Sequence, residues 1–200
     1  MKIAGRAYST KIGAVIKNAA LLGYYEKFIK SRLASENMFF VFNYKIAPKR
    51  PIWLYNQCID TRGAHALNIG GILRGEMRDA VEAPGGVDLN ALKTGLADTY
   101  REIASLLDSN FRVDFEKSQQ ARDFAYSIVK RREPKIAKSL GIKKSAALSE
   151  LKVAIIDFAM GNETAGNKAL TVALTKQHWR GKKPSRQGLT RASKALKKLL

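Results

Sequence analysis

Cysteine is almost missing from this sequence. Cys58 stands alone, so no disulfide can form within the chain. Histidine is nearly as scarce, with His65 and His178 the two residues of that type. Structural zinc sites need several Cys or His ligands at close spacing, and three scattered ones do not supply them. A free thiol of this kind is expected to be partly buried. Long apolar runs are missing as well. No stretch approaches the roughly 18 apolar residues of a membrane span. The start, MKIAGRAYSTKIGAVIKNAALLGYY, has the outline of a signal peptide. However, Lys11, Lys17 and Asn18 interrupt its apolar part and no clean cleavage site follows. The expectation is a soluble chain without a secretory signal, although basic amphipathic starts also serve as import sequences.

Acidic residues are scarce at both ends and vanish after Glu163. In their place stand 36 Lys and Arg against 17 Asp and Glu, a formal charge of +19. Self-repulsion of that size opposes a compact state unless something anionic offsets it. Nucleic acid is the first partner to consider and an anionic membrane surface the second. Residues 1–50 carry net +8, residues 51–120 net −3, residues 121–150 net +5, and residues 171–200 net +9. Two basic ends therefore flank a slightly acidic middle, the pattern of a core with nucleic-acid-binding arms. On this basis the chain divides into a basic, aromatic N-terminal arm with a helix (1–55), a helical core (56–178) and a basic C-terminal tail (179–200).

The periodicity is mostly helical. Ile12, Val15, Ala19, Leu22, Ile29 and Leu33 fall on one stripe and predict a helix from about Ile12 to Leu33. Residues 37–55 are aromatic and partly alternating, then broken by Pro48 and Pro51, which reads as a short strand or an extended arm. From about Ala64 onward Leu67, Leu73, Met77 and Val81 suit one helix. Asp88 caps the clearest one, with Leu89, Leu92, Leu96, Tyr100, Ile103 and Leu107 on one face. Further helices are expected over about 114–132, from Pro134 to a stop at Gly141, over about 145–160 and over about 164–178. After Pro184 the tail can form a last amphipathic helix, with Leu189, Ala192, Leu196 and Leu199 opposite Lys194, Lys197 and Lys198. No internal repeat and no βαβ alternation is present. The expected fold class is mainly α, a helical bundle core with an extended basic N-terminal arm and a basic C-terminal tail.

No catalytic constellation stands out. The glycines of GGILRG (70–75) match neither the dinucleotide nor the P-loop spacing and follow no clear strand. Their plainer role is a turn or close packing. The acids of residues 76–116, Asp98 and Glu102 among them, are spaced as solvated helix faces. No His stands near a Ser or Cys as a base beside a nucleophile. We expect no enzyme, no cofactor and no metal. The residues expected to meet nucleic acid are Lys2, Arg6, Lys11, Lys17, Lys27, Lys45, Lys49 and Arg50 toward one end. Toward the other they are Lys143, Lys144, Arg180, Lys182, Lys183, Arg186, Arg191, Lys194, Lys197 and Lys198. Lys and Arg neutralise phosphates and release counterions, so such binding is largely blind to base sequence and steeply dependent on salt. Tyr44, Trp53 and Trp179, set among these cations, stack on exposed bases or else pack in a protein interface.

KIAKSLGIKKSAALSEL (135–151) resembles the helix-turn-helix of small DNA-binding regulators. Ala137 falls where that motif has a small residue, Leu140 and Ile142 flank the turn glycine Gly141, and Ser145 and Ala146 open the second helix. The resemblance implies that Lys143, Lys144, Ser145 and Ser149 face the DNA groove. Two departures are Ala147, where the motif has a buried branched residue, and the apolar continuation LKVAIIDFAM. The plainer reading is a helix, a Gly-terminated turn and another helix of any bundle.

Taken whole, a helical core with two basic ends and no catalytic cluster is similar to the helical major coat proteins of filamentous archaeal DNA viruses. That resemblance implies self-association, or pairing with a paralogous coat subunit, along duplex DNA gripped through its backbone. It places the protein in a virion or an intracellular nucleoprotein, with duplex DNA favoured over RNA and a membrane unlikely. The alternatives are a helix-turn-helix transcriptional regulator and a ribosomal or other RNA-bound protein.

Overall fold

A computed structural model describes residues 1–32, 34–46, 49–178 and 181–200. The fold is mainly α, as expected, and its helices group into two compact units. One comprises Thr10–Ser118. The other joins Met1–Ser9 to Gln119–Leu200. Neither boundary coincides with the charge boundaries at 55/56 and 178/179.

The first unit holds α1 (Ile12–Val15), α2 (Ala19–Lys30), α3 (Ser35–Ile46), α4 (Pro51–Leu54), α5 (Gly71–Val81), α6 (Leu89–Asn110) and α7 (Arg112–Lys117). A single π-helical turn, Tyr55–Ile59, continues α4. The helix expected over 12–33 is two helices. Asn18 interrupts it because its side chain accepts from the Leu21 N–H at 3.1 Å and starts a new N-terminus. The buried stripe of α2 is accordingly Leu21, Tyr25, Phe28 and Ile29. Leu33 lies outside the described residues. Residues 37–46 and 51–55 are helical rather than a strand or an extended arm, and Pro48 lies outside the described residues. Phe40 and Val41, adjacent in sequence, are both fully buried because α3 packs on both α2 and α6. Tertiary burial of a broad apolar face overrides the alternating pattern. Asp88 caps α6 as expected, accepting from the N–H groups of Asn90 and Ala91 at 3.0 Å. Its Leu92, Leu96, Ile103 and Leu107 are buried, while Leu89 at the first position of the helix is exposed. Phe28, Phe115 and Tyr25 form the aromatic centre, with ring centroids 4.9–6.2 Å apart.

The second unit opens on a two-residue hairpin. β1 (Lys2–Ile3) pairs antiparallel with β2 (Arg6–Ala7) through Ala4-Gly5, both at positive φ, as a type I′ turn requires. The Ala4 N–H donates to the Ala159 carbonyl at 2.7 Å, and Ile3 is fully buried. The rest is α8 (Gln119–Val129), a 3-10 turn (Lys130–Arg132), α9 (Glu133–Ser139), α10 (Ser145–Ala159), α11 (Glu163–Gln177) and α12 (Arg186–Leu199). The expected helix 114–132 is broken at Ser118, whose backbone is extended. The central pair is α10 on α11. The last helix forms as its periodicity predicts. Ser185 caps it by accepting from the Gly188 N–H at 3.1 Å. Ala192 and Leu196 are buried where α12 packs on α9 and α11.

Candidate nucleic-acid interface

Fold and sequence together redistribute the charge. The unit of residues 10–118 has 15 cations and 12 acids, net +3. The unit of residues 1–9 and 119–200 has 21 cations and 5 acids, net +16. We call them the mixed-charge unit and the basic unit.

All five acids of the basic unit are engaged. Asp157, almost fully buried, accepts from Arg122 at 2.5 Å. Glu150 accepts from Lys176 at 2.6 Å and Glu163 from Lys197 at 2.7 Å. Asp123 accepts from Gln119 at 2.8 Å. Glu133 accepts the Tyr126 hydroxyl at 2.6 Å, and that bond, with burial behind it, pushes the phenol pKa up to about 12. Among the described residues, the unit's other Lys and Arg have no carboxylate partner. Their mutual field is therefore uncompensated within the unit.

The residues expected to meet nucleic acid fall into both units. On the basic unit, Lys2 and Arg6 are exposed on the hairpin. Lys143 and Lys144 are exposed just before α10. Lys182 and Lys183 are exposed in the segment before α12, and Arg186, Arg191, Lys194 and Lys198 are exposed along it. Lys197 is also exposed but tied to Glu163, and its ammonium lies 5.6 Å from the Phe158 ring centroid. Arg180 and Trp179 lie outside the described residues. On the mixed-charge unit, Lys11 precedes α1, Lys17 precedes α2, and Lys27 lies on α2, all exposed. Lys45 ends α3, and Lys49 and Arg50 precede α4. Trp53 is half-exposed, 6.1 Å from Phe39.

The structure exposes seven cations in residues 130–144, where two, Lys143 and Lys144, are expected from the sequence. Lys130, Arg131, Arg132, Lys135 and Lys138 join Lys143 and Lys144 there, all exposed. The single acid of this stretch, Glu133, faces Tyr126. Pro134, Ala137, Ile142 and Leu148 form an apolar groove edged by Lys130, Arg131, Lys138 and Lys143. The net +5 of residues 121–150 was a visible signal for this patch. What hid it was its place between two chain ends that are more basic still.

The helix-turn-helix expectation meets a mixed result. α9, a turn with Gly141 at φ +65°, and α10 are present. Lys143, Lys144, Ser145 and Ser149 are exposed at the start of α10. However, Ala147, Leu151 and the run Ala154–Ala159 are buried, so the second helix is central to its unit. The backbone N–H groups of Lys143 and Lys144 both donate to the Gln177 side-chain oxygen, at 2.8 and 3.0 Å. Those two donors are therefore occupied from within the unit.

Among the described residues no cluster of His, Cys, Asp and Glu is placed to hold a metal, and no helix is long and apolar enough to cross a membrane. Cys58 is fully buried, and burial pushes its thiol pKa up to about 12. No protein-family model matches the chain, nor does any curated protein or solved structure.

Proposed function

We propose that the protein is a structural nucleic-acid-binding protein that self-associates and coats duplex DNA through phosphate contacts. One observation carries this reading: the basic unit concentrates 21 cations against 5 acids, and every one of those acids is already engaged. Cations spread over the hairpin, the 130–144 patch and α12 favour grip on a backbone over reading of bases. The reading assigns no catalytic role, and it places the protein in a virion or an intracellular nucleoprotein.

A sequence-specific helix-turn-helix regulator is the second reading, favoured by the exposed first turn of α10 after Gly141. The burial of that helix beyond Leu151 counts against it. Titration of the protein with unrelated duplexes over a range of salt separates the two. A coat binds every duplex with a steep salt slope and forms continuous filaments under the electron microscope. A regulator prefers one operator by roughly 10³-fold or more and forms discrete particles. Tight, salt-insensitive binding to one short duplex overturns the coat reading. Tighter binding to structured RNA than to duplex DNA replaces it with the RNA-bound one.

A further inference from the structure

Although the mixed-charge unit nearly balances its charges, one of its cavities is lined by cations and no acids. Two stretches distant in sequence meet there: Lys45 at the end of α3 with Arg50 just before α4, and Lys93 on α6. None of the three has a carboxylate partner among the described residues. All three are exposed, and an anion placed between them would gain from their combined field. The space is about 420 Å³, within the roughly 300–1,000 Å³ usual for small-molecule sites.

The remaining walls are apolar and aromatic. Leu54 and Leu96 are almost fully buried, and Pro51 and Tyr44 complete the lining. Tyr44 stacks on Tyr100, with ring centroids 4.7 Å apart and planes at 21°. The Lys45 ammonium lies 4.5 Å from the Tyr100 ring centroid, which holds that cation at the edge of the stack. Cations beside a flat, apolar wall match a ligand with a phosphate at one end and a planar body at the other.

We infer that this cavity binds a nucleoside phosphate, its phosphate between Lys45, Arg50 and Lys93 and its base against Tyr44, Pro51 and Leu54. The same chemistry arrives as a free mononucleotide or as the phosphorylated end of a strand. The inference stands on the residues of this cavity and does not require the DNA-coating reading.

Calorimetric titration of the full chain with adenosine 5′-monophosphate, adenosine and inorganic phosphate tests it. The monophosphate binds at least tenfold more tightly than either fragment. Lys93→Gln and Arg50→Gln each weaken it about tenfold, while Lys152→Gln, an exposed cation of the basic unit, leaves it unchanged. A short single strand with and without a 5′-phosphate identifies the source. A preference for the phosphorylated strand that Lys93→Gln abolishes points to strand ends. No such preference, with monophosphate binding intact, points to a free nucleotide. Absence of monophosphate binding at millimolar concentration overturns the inference, as does equal weakening by Lys152→Gln. Lys93→Gln is expected to keep the wild-type salt slope on duplex DNA, so failure here and failure of the coating reading are separately visible.

Discussion

The two units are built from similar helices but manage charge in opposite ways. The mixed-charge unit sets 12 acids among 15 cations and scatters its ion pairs on the surface, such as Arg62 with Asp60 at 2.8 Å and Arg101 with Asp98. The basic unit commits its few acids to specific partners, one of them buried, and leaves the other cations unmatched. Surface pairs of the first kind contribute little to stability. An excess of unmatched cations costs stability and serves a purpose when a polyanion is bound. On the proposed reading, electrostatic binding falls to the basic unit.

The largest expected effect tests that division directly. Replacing Lys130, Arg131, Lys135 and Lys138 by Gln should lower the salt slope of duplex binding by roughly 3 to 4 units, at about 0.9 for each phosphate no longer neutralised. The same change at Lys11, Lys17 and Lys27 of the mixed-charge unit should move it by less than about 1 unit. Equal effects from both sets, measured by fluorescence anisotropy over a salt series, would overturn the proposed functional difference between the units.

Stability gives the next contrast. Arg122→Ala strands the buried Asp157 carboxylate and should cost about 3 kcal/mol in urea unfolding. Arg101→Ala, which removes an exposed pair, should cost less than about 1 kcal/mol. A smaller loss for Arg122→Ala than for Arg101→Ala would show that the buried pair is not what holds α8 to α10.

Local geometry gives smaller effects. Gly141→Ala forces a side chain into φ +65° and should cost about 1–2 kcal/mol, loosening the turn before α10. Capping predicts about 1 kcal/mol for Asp88→Ala in one unit and for Ser185→Ala in the other. Parity between these two would show that excess charge does not alter what a helix cap contributes. Last, Cys58 should react with Ellman's reagent only as the mixed-charge unit opens, because its thiol is buried and its pKa lies near 12. Rapid reaction of the native protein at neutral pH would contradict the burial of the π-helical turn.

Much of the fold was legible along the chain. Asp88 with the α6 stripe, the stop at Gly141 and the α12 stripe each rest on residues within a few positions of one another. Expectation failed where the deciding partner was distant. Residues 37–46 alternate well enough for a strand, but packing on two other helices buries Phe40 and Val41 together. The break at Asn18 was locally available and was outweighed by the apolar stripe across it. For the candidate interface, both chain ends were marked by charge. The 130–144 stretch was marked too, and the exposure of its seven cations required the fold to show.

The sequence by itself determined the helical content, the main caps and turns, and the excess of 19 positive charges, because these depend on near neighbours or on simple counting. The tertiary structure decided where that charge resides. Placing Ala4 against Ala159 brings the first nine residues to the basic unit, while the rest of the basic N-terminal stretch joins a unit whose acids nearly balance it. Charge counted along a chain sums neighbours in sequence, whereas an electrostatic field sums neighbours in space.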